Sequence, residues 1–140
     1  MNKISIRDRQ RIIFNAVYLD NPSLDKLKSI YTGIHPNYFG EHVTINFGVN
    51  EAPENLGETV SIDVVGYAKD EKGEAVVVKL PFETSKENLH ITISTANGIK
   101  PVYSNALLIN GFEKIQPFTL TGVVASFMQG GHLEVDRNKL

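Results

Sequence analysis

The chain has 140 residues, of which 41% are hydrophobic and 21% charged, so it is long enough for one globular domain with a buried core. Its net charge of −2 excludes a broad basic surface for holding long nucleic acid, and the lack of cysteine excludes disulfides, thiolate metal sites and cysteine nucleophiles. Without an apolar run of ~18 residues or the apolar core of a signal peptide, no membrane association is expected. We expect one cytoplasmic domain over residues 1–140 that binds a small ligand. The oligomeric state is not predicted by the sequence.

The first third of the chain predicts a strand followed by a helix. Residues 11–19 (RIIFNAVYL) are rich in β-branched and aromatic side chains, which is typical of a buried strand. The next segment, NPSLDKLKSIYTG, predicts a helix that Asn21 or Ser23 caps and Gly33 ends. Its apolar face would carry Leu24, Leu27 and either Ile30 or Tyr31.

The rest of the chain predicts mainly strands. Residues 58–70 and 73–82 predict two strands. A tight turn around Asp70 to Gly73 would join them into a hairpin. Residues 117–129 and 132–137 predict a second pair that turns at Gly130-Gly131. Residues 104–111 (SNALLING) fit a short helix or a buried strand, since periodicity alone does not decide. We expect an α+β fold, mostly antiparallel, with one clear helix.

Two segments, EHVTINFGVN and LHITISTANG, share one layout of histidine, apolar residue, threonine and apolar residue, 48 positions apart. Because residues i and i+2 of a strand share a face, each segment predicts a strand with an apolar face for the core and a polar face opposite. The polar faces would carry His42, Thr44 and Asn46 in the first strand, and His90, Thr92 and Ser94 in the second.

The residue types of the repeated layout suit displacement at phosphorus. An imidazole has an ordinary pKa of about 6.5, so one histidine can accept a proton while the other donates one. We therefore expect His42 and His90 to be catalytic, one as the base and the other as the acid of such a reaction. The hydroxyls of Thr44 and Thr92 would bind the phosphate oxygens, and the scheme needs no metal and no cofactor. The sequence only slightly favours His90 as the base, because a longer polar segment follows it.

The two motifs, His42-Val43-Thr44-Ile45 and His90-Ile91-Thr92-Ile93, resemble those of the two-histidine (2H) phosphoesterases of the LigT-like superfamily. The block HITISTANGIKPVYSN is also similar to the cyclic phosphodiesterase-type domain of RNA-repair proteins. The resemblance covers roughly residues 11–110. It implies two small pseudo-symmetric lobes around a central groove, and metal-independent cleavage of 2′,3′-cyclic phosphates or 2′–5′ linkages in nucleotides or RNA ends. Roles in RNA repair or in degrading nucleotide immune signals would follow. The spacing and the chain length are short for the family, which leaves the substrate open.

Several further residues are candidates to contact a substrate. Tyr38, next to Phe39, could stack on a base or belong to the core. Lys100 could pair with a phosphate, while Tyr103 and Ser104 could contact substrate or cap the following segment. His35 and His132 are expected in solvated loops, and four scattered histidines do not have the spacing of a zinc site.

A second function fits the same residues. A non-catalytic module that binds a nucleotide or an RNA end in the same groove would use both histidines and both threonines as ligands. Nothing in the sequence separates this module from a phosphodiesterase.

Overall fold

The computed structural model describes residues 12–47, 53–84, 88–128 and 133–134. These residues form eight strands and two helices. In chain order they are β1 (Ile12–Leu19), α1 (Asn21–Ile30), β2 (Asn37–Tyr38), β3 (His42–Phe47), β4 (Thr59–Lys69), β5 (Gly73–Lys79), β6 (His90–Thr95), α2 (Tyr103–Ile109), β7 (Glu113–Met128) and β8 (Leu133–Glu134).

The eight strands form one sheet in the order β2-β6-β5-β4-β7-β1-β3, with β8 beside β7. Every pairing in it is antiparallel, which confirms the predicted α+β class with mostly antiparallel strands. The β4–β5 hairpin is also confirmed: the Asp70 side chain accepts hydrogen bonds from the backbone N–H groups of Lys72 and Gly73. Strands β7 and β8 pair as predicted, whereas the turn between them, with His132, lies outside the described residues.

The two helices differ from the predictions in detail. Helix α1 is capped by Asp20, and not by Asn21 or Ser23, because the Asp20 carboxylate accepts a hydrogen bond from Ser23 N at 3.0 Å. Leu27 is fully buried and Tyr31 packs against the core, while Ile30 is 46% exposed. The ambiguous segment after residue 103 is a helix, α2, whose buried leucines cover the outer face of β4 and β5.

The main hydrophobic core draws on six of the strands and on α1. Its buried members include Val17, Val43, Ile62, Ile91 and Val124, and β3 contacts β6 although they lie far apart in the sheet order. The sheet therefore curves until its two ends approach each other, with apolar side chains inside the curve.

The segment between β2 and β3 joins the two ends of the sheet. Phe39 N donates to Ile93 O at 2.7 Å and Gly40 N donates to Thr92 O at 2.8 Å, while Glu41 O accepts from Leu19 N at 2.9 Å. Gly40 has a φ of 56°, and a Cβ there would overlap the Tyr38 ring, so the crossing needs glycine. This crossing sets β3 beside β6 and determines where their polar side chains meet.

No helix in the described part of the chain is long and apolar enough to cross a membrane.

Candidate active site

Both histidine motifs contribute to one cleft of about 290 Å³. Its wall contains both histidines and both threonines of the repeated layout, together with apolar side chains and two further polar ones. The lining residues are Phe14, Phe39, Glu41, His42, Thr44, His90, Thr92, Pro101, Val102 and Asn105.

The alternation of the motif strands accounts for this placement. Val43 and Ile45 are buried in the core, whereas the alternating His42 and Thr44 side chains are half-buried. In β6, likewise, Ile91 and Ile93 are fully buried while His90 and Thr92 are only half-buried. The apolar residues hold each strand on the core, so the intervening polar side chains point into the cleft.

The alternation breaks directly after each motif, which corrects the predicted positions of Asn46 and Ser94. The register of β3 against β1 shifts between Thr44 and Asn46, and the register of β6 against β5 shifts between Thr92 and Ser94. A β-bulge of this kind turns the next side chain to the other face. Neither Asn46 nor Ser94 lines the cleft.

Each displaced side chain instead bonds to a buried polar residue of the neighbouring strand. Asn15, 2% exposed, donates from its amide to Asn46 Oδ1 at 3.0 Å. Glu74, 1% exposed, accepts from Ser94 Oγ at 2.7 Å. The two motif strands therefore share a sequence pattern, a bulge after the motif and a hydrogen bond from the bulge to a buried polar side chain. This local repetition agrees with the pseudo-symmetry that the resemblance implies.

The His42 imidazole is held between two aromatic rings and beside a carboxylate. Phe14 and Tyr18 stack on it with ring centroids 5.3 and 5.0 Å away. Glu41 Oε1 lies 3.7 Å from His42 Nδ1, which is ion-pair distance without a good hydrogen bond. Interaction with His42 lowers the pKa of the Glu41 carboxyl, although burial acts in the opposite direction. Burial, and then the charge of Glu41, raise the pKa of the Tyr18 hydroxyl.

The His90 imidazole has a different neighbour. Its Nδ1 lies 3.0 Å from the backbone carbonyl oxygen of Asn88. Because a carbonyl only accepts hydrogen bonds, this contact places a proton on Nδ1. In the neutral ring the lone pair is then on Nε2. The positive φ of 54° at Asn88 belongs to the turn that presents this carbonyl.

The two threonines differ in their contacts. Thr92 Oγ1 is 2.8 Å from Ser104 Oγ and 3.3 Å from Pro101 O, so its hydroxyl is oriented by the segment that leads into α2. Ser104 is 2% exposed, which makes it a support for Thr92 and not a lining residue. The Thr44 hydroxyl forms no hydrogen bond with any residue that the structure describes.

The structure does not bring the other sequence candidates to the cleft wall. The Tyr38 ring packs against the core below Lys28, and its neighbour Phe39 lines the cleft instead. The Tyr103 hydroxyl donates to Asp70, which raises the Tyr103 pKa to about 12. Lys100 is exposed and is not a lining residue. His35, expected in a solvated loop, is half-buried with Nε2 at 2.9 Å from Asp70 O.

Sequence reasoning missed three residues around His42. The sequence contains a signal for Glu41, because this residue directly precedes His42 and a neighbouring carboxylate favours the charged form of an imidazole. Phe14 and Tyr18 lie on β1, four residues apart, and therefore share a face. Their contact with His42 depends on the pairing of β1 with β3, which opposes Tyr18 to His42.

The part of the cleft wall that the structure describes carries little charge. Among the residues that the structure describes, the lining contains one carboxylate, Glu41, and neither lysine nor arginine. Within the described ranges, no three histidine, aspartate or glutamate side chains group in a way that could hold a metal ion. In the described part of the lining, the side chains that can donate a hydrogen bond to an anion are the two imidazoles, the two threonine hydroxyls and the Asn105 amide.

No protein-family model matches the sequence, and no curated protein matches it. Among solved structures, the chain is similar to the crystal structure of a fungal RNA kinase, with a TM-score of 0.56 and 13% sequence identity. The match covers 87% of this chain but only 43% of the kinase chain. At this identity the likeness shows a shared fold, and it concerns less than half of the larger protein.

Proposed function

We propose that the protein is a metal-independent phosphodiesterase that hydrolyses 2′,3′-cyclic phosphates or 2′–5′ linkages in nucleotides or at RNA ends. The observation that carries the proposal is the shared cleft, which His42, Thr44, His90 and Thr92 line from two strands with the same sequence pattern. Two imidazoles can act on the attacking and the leaving oxygen of one phosphate as base and acid. Two hydroxyls can bind the non-bridging oxygens of the same phosphate.

The reaction on a cyclic phosphate requires two proton transfers. A base takes a proton from water as the water oxygen forms a bond to phosphorus. The bond from phosphorus to one ribose oxygen breaks, and an acid gives that oxygen its proton. The product is a phosphomonoester with a free ribose hydroxyl, and solvent exchange restores both imidazoles. The threonine hydroxyls would donate to the non-bridging oxygens as charge develops there.

The surroundings of the histidines favour His90 as the base and His42 as the acid. The Asn88 carbonyl fixes the neutral tautomer of His90 that has its lone pair on Nε2. The Glu41 carboxylate, 3.7 Å from His42 Nδ1, can pair with an imidazolium at that position. These contacts support the assignment that the sequence favoured only slightly.

The similarity in fold to an RNA kinase supports a substrate related to RNA. The similarity does not support kinase chemistry in this chain. The present 140 residues contain no GxxxxGK[ST] phosphate-binding loop, the pattern with which many kinases hold a nucleoside triphosphate. The similar fold therefore supports RNA-end processing, while the cleft supports phosphodiester hydrolysis.

The test is turnover of adenosine 2′,3′-cyclic phosphate and of a 2′–5′-linked adenylate dinucleotide in EDTA, with products separated by chromatography. We expect hydrolysis of at least one substrate, and a loss of about 10²-fold or more in kcat/KM for His42→Asn and for His90→Asn. His35→Asn is the matched control, since His35 lies outside the cleft, and should retain activity. Specific binding of either compound without turnover would contradict the phosphodiesterase proposal and support a non-catalytic binding module.

A further inference from the structure

Glu41 places a negative charge in a cleft that would bind an anion. Its side chain is 54% exposed and lines the cleft, 3.7 Å from His42 Nδ1. Its backbone is fixed on both sides: Glu41 O accepts from Leu19 N, and the preceding Gly40 N donates to Thr92 O. The backbone that carries the carboxylate is therefore held at the point where the two ends of the sheet meet, and the side chain extends from it to the cleft wall.

The charges of the lining residues make this carboxylate significant. With His42 protonated and His90 neutral, the formal charges of the described lining residues cancel, since lysine and arginine are absent from that set. A phosphodiester carries one negative charge, whereas a phosphomonoester carries nearly two above its second pKa of about 6. Coulomb energy is proportional to the charge of the ligand, so Glu41 opposes a dianion twice as strongly as a monoanion.

We infer that Glu41 is a charge filter, which makes the cleft prefer phosphodiesters over phosphomonoesters and so promotes release of the hydrolysis product. The inference rests on the proposed function, because hydrolysis turns a monoanionic diester into a monoester that loses a second proton to solvent. The charge of the ligand thus increases in the cleft during the reaction, and the Glu41 carboxylate opposes that increase. Glu41 is a specificity residue in this account, and His42 and His90 remain the reacting groups.

The direct test measures binding of adenosine 2′,3′-cyclic phosphate and of adenosine 3′-monophosphate by calorimetry at pH 7.5, in a His90→Asn background in which turnover is slow. Glu41→Gln keeps the shape of the side chain and removes its charge. We expect it to tighten the monoester by about tenfold and the cyclic diester by about threefold, since the two effects scale with ligand charge. The preference for the diester should therefore fall by about threefold. Glu58→Gln, an exposed change outside the cleft, should alter neither dissociation constant.

The same pair of measurements in a His42→Asn background separates the field of Glu41 from any effect on the His42 imidazole. The inference predicts that Glu41→Gln again tightens the monoester more than the diester there. The inference would be wrong if Glu41→Gln left the ratio of the monoester and diester dissociation constants unchanged in both backgrounds, or changed it only while His42 is present. Neither result would contradict the proposed phosphodiesterase activity. If wild-type protein neither binds nor hydrolyses the cyclic nucleotide, the proposed function fails together with the inference.

Discussion

Thr44 and Thr92 occupy equivalent positions in the two motifs but differ in what the protein does with their hydroxyls. The Thr92 hydroxyl belongs to a chain of contacts with Ser104 and the Pro101 carbonyl. The Thr44 hydroxyl forms no hydrogen bond with the described residues and is available to a ligand. The Thr92 hydroxyl therefore contributes to the stability of the fold, whereas the Thr44 hydroxyl does so through no hydrogen bond with the described residues.

We expect Thr44→Val to lower kcat/KM by about tenfold or more, because it removes one hydrogen bond to a charged group, worth ~1.5–3 kcal/mol. Its free energy of unfolding should change little. Thr92→Val should lower kcat/KM as well, and should also reduce the free energy of unfolding by about 1 kcal/mol, because the buried Ser104 hydroxyl loses its partner. Urea unfolding beside steady-state kinetics checks both. Equal stability losses in the two variants would contradict the assigned contacts.

The pH dependence of kcat/KM should be bell-shaped. Activity falls at low pH as the base, His90, becomes protonated, and falls at high pH as the acid, His42, loses its proton. The pKa of Glu41 lies below its ordinary value, so Glu41 is already ionised on the acidic side of the bell and contributes neither limb. Because the histidines share one cleft, the two apparent pKa values belong to the pair. A kcat/KM that rises steadily up to pH 9 would show that no protonated imidazole is needed.

At the scale of strands, the bulges after the motifs depend on buried polar partners. Glu74 accepts hydrogen bonds from Ser94 Oγ, from Ile34 N at 3.0 Å and from the Tyr67 hydroxyl at 2.6 Å. The carboxylate therefore links β6 to β4, to β5 and to the loop after α1. Its loss would leave three donors without an acceptor inside the protein.

Glu74→Met should therefore reduce the free energy of unfolding by roughly 3 kcal/mol or more, since each buried unsatisfied donor costs ~1–3 kcal/mol. Glu74→Gln, which keeps one oxygen as acceptor, should cost markedly less and retain most activity. Chemical denaturation of the two variants measures the difference. If Glu74→Met is as stable as Glu74→Gln, the bulge in β6 does not depend on this network.

The sequence predicted strands better than their irregularities. The β4–β5 hairpin and the two motif strands follow from local patterns of apolar and turn residues, which act within a few positions along the chain. The positions of Asn46 and Ser94 were predicted wrongly because a bulge depends on the partner strand, which the local pattern does not contain. For the same reason, the cap of α1 shifted by one residue to Asp20, whose carboxylate also accepts from the Thr121 hydroxyl of β7.

At the scale of the whole chain, the cleft exists because the two ends of one curved sheet meet. The motifs belong to strands far apart in the sheet order, and the crossing through Gly40 and Glu41 brings them together. Spacing in the sequence indicated the two motifs but not this closure, which arises from long-range hydrogen bonds. The central claim, that His42 and His90 act on one phosphate, therefore depends on the approach of these two ends of the sheet.

That claim is tested most directly by NMR of the imidazole ¹⁵N signals during titration with adenosine 3′-monophosphate at millimolar concentrations. We predict that the His42 and His90 signals shift together and fit one dissociation constant, because both rings face the same bound phosphate. His35 is the internal reference, since its Nε2 contacts Asp70 O away from the cleft, and its signals should stay in place. Shifts at only one of the two histidines, or two different dissociation constants, would contradict a shared phosphate site.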